Sequence, residues 1–217
     1  MTETPLISLT RVMGTKTDHV YVAVRDTVFM MPHKVASSSI KAALRLAIGC
    51  TRRDDRLDFM AKTETRKFNR RIGFVRHPLT RLESCYADKF ILRARAGRSF
   101  LPDLIALGFR AEMTFAEFVE RACEIPDEMA DGDGKHFRSQ YFDLADEDGL
   151  IPTFIGRFEK MAGDWQRVRD MAWAGIKLPS LNHLRASARD GVEWTEQARS
   201  AAIARYATDF KAFGYKP

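Results

Sequence analysis

Cysteine is scarce in this chain, with Cys50, Cys85 and Cys123 widely spaced and no Cys-x-x-Cys pair among them. That excludes a dense disulfide framework and argues against a structural zinc site, so the thiols read as free and buried. No apolar run approaches the ~18 residues a membrane-spanning helix needs. Residues 1–14 carry neither a basic leader nor a long apolar stretch. Repeats, low-complexity tracts and Ser/Gly linkers are also missing. The expectation is a cytoplasmic protein without membrane insertion, a single domain over residues 1–217 with an N-terminal arm at 1–18.

What is present is ordinary for a globular protein: 45% hydrophobic and 29% charged residues, which makes disorder or a fibrous fold a poor fit. Lys and Arg number 35 against 29 Asp and Glu, a formal net charge of +6. This modest excess hints at an anionic partner without choosing its class.

Two segments share one grammar. Residues 20–24 and 27–31 are rich in Val, Tyr and Phe and read as strands, with a hairpin the natural connection. Pro32 and a polar stretch follow, and from Ile40 the apolar residues Ile40, Ala43, Leu44, Ala47 and Ile48 fall on one helical face, with Gly49 as the stop. Residues 72–75 then read as a short buried strand, Arg76-His77-Pro78 as a turn, and 79–92 as a helix whose first turn accepts Pro78. The stretch 52–71 between them reads as a helix with loops.

Further along, Thr114-Phe115-Ala116-Glu117 is a capping box, Asp131-Gly132-Asp133-Gly134 a loop, and 152–158 a third strand leading into a helix over 159–173. Residues 178–190 read as a long surface loop, and Thr195 caps a last helix with Ala198, Ala202, Tyr206 and Phe210 on one stripe. Strands alternating with helices predict an α/β fold, three-layered, with a mainly parallel sheet flanked by helices.

The loop Lys34-Val35-Ala36-Ser37-Ser38-Ser39 joins a strand to a helix. Helix N-termini offer unpaired N–H groups and partial positive charge, which suit phosphate or sulfate. Three hydroxyls add donors, Lys34 adds a mobile charge, and the small Ala36 and Ser37 allow close backbone approach. The competing reading is plain N-capping by one serine. The loop has no glycine and its lysine comes first, unlike GxxxxGK[ST], so an ATP or GTP hydrolase loses weight.

Residues 29–40, Phe-Met-Met-Pro-His-Lys-Val-Ala-Ser-Ser-Ser-Ile, resemble the 5′-phosphosulfate loop of sulfotransferases, most of all the carbohydrate sulfotransferases. The resemblance implies a P-loop nucleotide-kinase-like sulfotransferase fold and 3′-phosphoadenosine 5′-phosphosulfate (PAPS) as sulfonyl donor. PAP, the 3′,5′-bisphosphate, is then the product, and no metal is required. It also implies Lys34 at the bridging oxygen and 5′-phosphate, with Val35, Ala36, Ser37, Ser38 and Ser39 holding phosphate and sulfonate oxygens. His33 stands where the family often has proline.

Residues 74–86, Phe-Val-Arg-His-Pro-Leu-Thr-Arg-Leu-Glu-Ser-Cys-Tyr, resemble the family's second signature. By that likeness Arg76 and Ser84 bind the 3′-phosphate, which a guanidinium fork plus a hydroxyl suits chemically. His77 replaces the usual aspartate, and Arg81 reads as structural, tying its helix to nearby carbonyls or carboxylates. Taken as a pair, the two strand–loop–helix units ask for a ligand with phosphates at both ends.

On the acceptor side, Lys135-His136-Phe137-Arg138-Ser139-Gln140 resembles a His-x-x-x-Gln segment of the family. His136 is therefore the first candidate for base or acceptor-orienting residue, and His33, beside the transferring group, the second; His77, His19 and His183 have weaker claims. Glu159 matches an apolar-Gly-x-aromatic-Glu pattern and is a candidate acceptor ligand, the alternative being a helix N-terminal acid that stabilises the dipole. Residues 178–185 resemble the family's C-terminal region, and by that likeness the 178–190 loop covers the nucleotide, with Arg185 or Arg189 as the candidate phosphate contact.

The resulting expectation is sulfonyl transfer from PAPS to a hydroxyl, less readily an amine, of a small-molecule or oligosaccharide acceptor. A nucleotide-kinase-like phosphotransferase needs a glycine-rich loop and an acidic metal ligand that the sequence lacks. A non-catalytic anion or nucleic-acid module needs clustered basic residues and exposed aromatics. Here Lys and Arg are dispersed, so no nucleic-acid partner is expected.

Overall fold

The computed structural model describes residues 21–24, 26–49, 58–59, 61–172, 176–177 and 191–217. The N-terminal arm and the 178–190 loop lie outside them. Strands β1 (Tyr21–Val24) and β2 (Thr27–Met30) form the expected hairpin, antiparallel with Val24 opposite Thr27. β3 (Asp58–Phe59) adds to the outer edge of β1. β4 (Arg70–Val75) and β7 (Phe154–Arg157) extend the sheet in the order β3-β1-β2-β4-β7, and the β2-β4-β7 run is parallel. A separate small hairpin pairs β5 (Ala145–Asp146) with β6 (Gly149–Leu150).

Both sheet faces are covered because the strand side chains alternate. Phe29, Ile72 and Phe74 point to one side and pack with Ile40 and Leu44 of α1 (Ser37–Ala47) and with Trp165 and Val168 of the Met161–Met171 helix. Val28, Met30 and Val75 point to the other, against Leu144 and Phe213. The outcome is the expected mixed α/β arrangement, a mainly parallel central sheet flanked by helices. Gly156 is the price of the tight β4–β7 pairing: an added Cβ would sit 2.5 Å from the Phe74 ring, so no larger residue fits without a shift.

A second, all-helical core joins α2 (Pro78–Tyr86) to the rest. The short helices α3 (Leu92–Arg95) and α4 (Pro102–Ala106) precede α5 (Phe115–Glu124), whose start is the predicted capping box. Thr114 Oγ1 accepts from the Glu117 N–H at 3.3 Å, and the Thr114 N–H donates to Glu117 Oε2 at 2.7 Å. Tyr86, Phe90, Phe109, Phe115, Phe118 and Phe137 pack edge to face and tilted in this core.

Several expectations shift. Within 52–71, the described part holds β3 and a 3₁₀ helix, Lys62–Lys67, rather than an α-helix. The 79–92 helix is interrupted: after α2 the chain makes a π turn, Ala87–Ile91, before α3. The Gly-rich loop is wound into a 3₁₀ turn, Gly132–His136, which carries His136 itself. α6 (Gln140–Leu144), not foreseen, follows it. The third strand leads through a 3₁₀ turn, Phe158–Lys160, into α7 (Met161–Met171). The last helix is two, α8 (Glu196–Arg205) and α9 (Ala207–Phe213), broken at Tyr206, yet Ala198, Ala202, Tyr206 and Phe210 keep their shared buried stripe.

Candidate functional site

The three parallel strands deliver their carboxyl ends to one edge of the sheet, the place where ligands bind in open α/β sheets. Lys34 follows β2, Arg76 follows β4, and Phe158 with Glu159 follows β7. The Arg76 guanidinium unites them. It donates to the Lys34 carbonyl at 3.3 Å and to Thr80 Oγ1 at 3.2 Å, and it lies over the Phe158 ring at 4.4 Å. Two loops 42 residues apart in sequence thus form one surface.

The first loop is strained. Lys34 and Ala36, at φ 71° and 69°, are the non-glycine residues with positive φ among the described residues. Each such residue costs about 1–2 kcal/mol in a side chain with a Cβ, so the surroundings must impose the conformation. Its effect is visible at α1. The N-cap position falls on Ala36, left-handed and without a side chain to cap the helix, and Ser37, Ser38 and Ser39 occupy the first turn. The simple reading in which one serine caps the helix therefore does not hold. A left-handed residue followed by right-handed ones is the backbone form of an anion-binding nest. Val35 anchors the loop from beneath, fully buried; Ser39 is buried and Ser38 exposed.

α2 flanks this loop. Thr80, Ser84 and Asp88 recur at every fourth residue; Thr80 touches Arg76, Ser84 is buried, and Asp88 binds the Lys34 ammonium at 2.8 Å. Arg81, fully buried, performs the tying role expected of it. Its Nε donates to the His33 carbonyl at 2.9 Å and its other arm to the Lys135 carbonyl at 3.4 Å. One guanidinium thereby draws the first loop and the His136 turn together.

That convergence brings the two leading histidines into contact. The rings of His33 and His136 lie 4.2 Å apart, tilted by 43°. His136 is fixed on three sides. Arg81 holds the carbonyl before it, Tyr206 Oη donates to the Phe137 carbonyl after it at 2.6 Å, and its own Nδ1 sits 3.0 Å from the Asp133 carbonyl. A carbonyl can only accept, so the proton of the neutral ring is on Nδ1 and Nε2 carries the lone pair. Both imidazoles titrate well below the ordinary histidine value. Burial is the largest cause for each; Arg81, Lys41, Lys89 and Lys135 add to it at His33, and His33, Lys89 and Lys34 at His136. Three lysines border the pair, each bound to an aspartate: Lys34 to Asp88, Lys89 to Asp133 at 2.9 Å, and Lys135 to Asp131 at 3.0 Å.

Two other predicted residues at this edge are bound by protein groups. Glu159 spends both oxygens on protein groups, accepting from the His77 N–H at 2.8 Å and the Tyr215 hydroxyl at 2.9 Å. His77 Nε2 donates to the Lys216 carbonyl at 2.9 Å, and its ring meets the edges of Phe210 and Tyr215. The second loop is thus strapped by the C-terminal segment. Arg185, Arg189, His19 and His183 lie outside the described residues.

Sequence reasoning missed a supporting network. Gln140, fully buried, bonds both backbone groups of Arg76: Oε1 accepts from its N–H and Nε2 donates to its carbonyl, each at 2.8 Å. Asp209, also fully buried, accepts from the Gln140 and Tyr141 N–H groups at 2.9 and 2.8 Å and from Gln140 Nε2 at 3.3 Å. Burial pushes the Asp209 carboxyl up, against the opposing pull of those hydrogen bonds. Gln140 belongs to the His-x-x-x-Gln segment, and its spacing from His136 was the available signal; Asp209 lies in the 206–215 ending, which loosely resembles the family's C-terminal region but gives no sign of this role.

A parallel-sheet edge, a strained basic loop, a buried arginine and a contacting histidine pair thus meet in one candidate site. The family profile described as "Sulfotransferase family" matches residues 25–216, so the chain belongs to the sulfotransferase family. No curated protein and no solved structure gives a significant match to it. Among the described residues no helix is long and apolar enough to cross a membrane.

Proposed function

We propose that this sulfotransferase takes its sulfonyl group from PAPS and passes it to a hydroxyl of a carbohydrate or other small acceptor, with His136 as the base. The observation that carries the reading is the meeting of the Lys34 loop, Arg76 and the His33–His136 pair at one sheet edge. The nest and Ser37–Ser39 would hold the 5′-phosphosulfate, and Arg76 with Ser84 the 3′-phosphate. In the transfer, the acceptor oxygen attacks sulfur in line and the bond from sulfur to the bridging phosphate oxygen breaks. The electron pair leaves on the 5′-phosphate of PAP, where Lys34 offsets the growing charge. The acceptor proton goes to His136 Nε2, and His33 packs against the His136 ring.

Because Gln140 grips Arg76 by its backbone, the guanidinium is aimed without using its own donors on that support. Glu159 is better read as a clamp on the second loop than as an acceptor ligand, since its oxygens already serve His77 and Tyr215. Thermal denaturation with PAP, set against ATP plus Mg²⁺, tests the donor assignment. PAP is expected to raise the melting temperature at saturation by several degrees, and Lys34→Ala or Arg76→Ala to shrink that shift. A shift confined to ATP with Mg²⁺, or none with either nucleotide, would refute the assignment.

A further inference from the structure

Lys34 does not wait in solvent for a donor. Its side chain is mostly buried, at 14% exposure, and the ammonium is ion-paired and hydrogen-bonded at 2.8 Å to Asp88, whose side chain is 43% exposed. Asp88 stands in the π turn Ala87–Ile91, four residues after Ser84. π turns inside helices recur at functional sites because the extra residue re-aims side chains. Resting on the PAPS reading, we infer that Asp88 is a positioning residue that holds Lys34 beside the donor loop and competes with the donor's phosphosulfate for the same ammonium.

The electrostatics agree with the geometry. Burial alone would raise the Asp88 carboxyl, but the Lys34 ammonium, with Lys89 and Arg93 behind it, holds it below the usual carboxylate range. Asp88 therefore stays charged across neutral pH. A carboxylate there does two opposing things. It fixes the long, rotamer-rich lysine at the mouth of the nest, and it must give up the ammonium when an anion arrives. Ser84, four residues before Asp88 and assigned to the 3′-phosphate, stands on α2, which runs directly into the π turn that carries Asp88, so the groups proposed for the second loop and for Lys34 are adjacent in the chain.

The test is a double-mutant cycle on PAP affinity by titration calorimetry, with Lys34→Ala, Asp88→Asn and the double variant, each checked for an unchanged melting profile. Asp88→Asn is expected to tighten PAP by about fivefold when Lys34 is present, and by less than about twofold in the Lys34→Ala background. Asp88→Glu, which keeps the charge, should bind PAP as the wild type does. Asp88→Ser repeats the measurement if the asparagine variant melts early. Equal tightening in both backgrounds, or weaker binding by folded Asp88→Asn, overturns the competition. If wild-type protein binds no PAP, the donor reading itself fails. If PAP binding depends on Lys34 yet ignores Asp88, only this inference does.

Discussion

Replacing His136 with glutamine is expected to lower turnover by about two to four orders of magnitude while changing PAP affinity less than twofold. Glutamine keeps the size and polarity of the ring but has no basic lone pair. The two held carbonyls on either side, of Lys135 and Phe137, would still order the turn. Turnover is followed as PAP released from PAPS in the presence of a hydroxylated acceptor. Near-normal release by a folded variant would remove His136 from the base role. The same residue sets a pH dependence. In both His33 and His136 the folded pKa lies below the unfolded value of about 6.5. The unfolded chain therefore binds more protons between the two values. Stability is fully present above the unfolded value and is lost as pH falls toward the folded one. Acid unfolding monitored between neutral pH and pH 5 should show this loss, and the His136→Gln variant should show less of it.

The second large effect is at Lys34. Lys34→Ala is expected to cut turnover by about a hundredfold to a thousandfold, the size typical of removing one preplaced stabiliser of transition-state charge. PAP affinity should fall much less, because the nest, the serines and Arg76 remain. Lys34→Arg should recover only part of the rate. Its planar fork does not reproduce a point charge, and position 34 already bears a positive φ and a fixed partner in Asp88. Single-turnover rates measured at saturating PAPS separate the chemical step from binding. A Lys34→Ala rate within about threefold of wild type would contradict the assigned role.

The local parts of this site could be read from sequence because they are local. Strand, loop and helix around Lys34, and again around Arg76, are adjacent in the chain and carry period, turn and cap signals of their own. The His33–His136 contact was not legible, since it joins segments about a hundred residues apart through a tertiary link, the Arg81 guanidinium. Arg81 could be recognised as a tie, but not what it tied. The π turn that carries Asp88 breaks helical periodicity by one residue, too little to show in an apolar pattern that continues through Phe90. Asp209 sits on a stretch whose apolar stripe named Phe210, and nothing in that stripe marks a neighbouring carboxylate as buried and in command of Gln140. Glu159 matched a motif, yet its two hydrogen bonds depend on the C-terminal segment returning to the second loop, a matter of topology.

The central claim is that two neighbouring loops read the two ends of one bisphosphate nucleotide. Calorimetric titration with PAP and with adenosine 5′-monophosphate, which lacks the 3′-phosphate, tests it most directly. Wild-type protein is expected to bind PAP at least about tenfold more tightly, the worth of one charge-assisted phosphate contact, and Arg76→Ala to erase that preference while leaving the monophosphate affinity unchanged. Equal affinity of the wild type for both nucleotides would contradict the account.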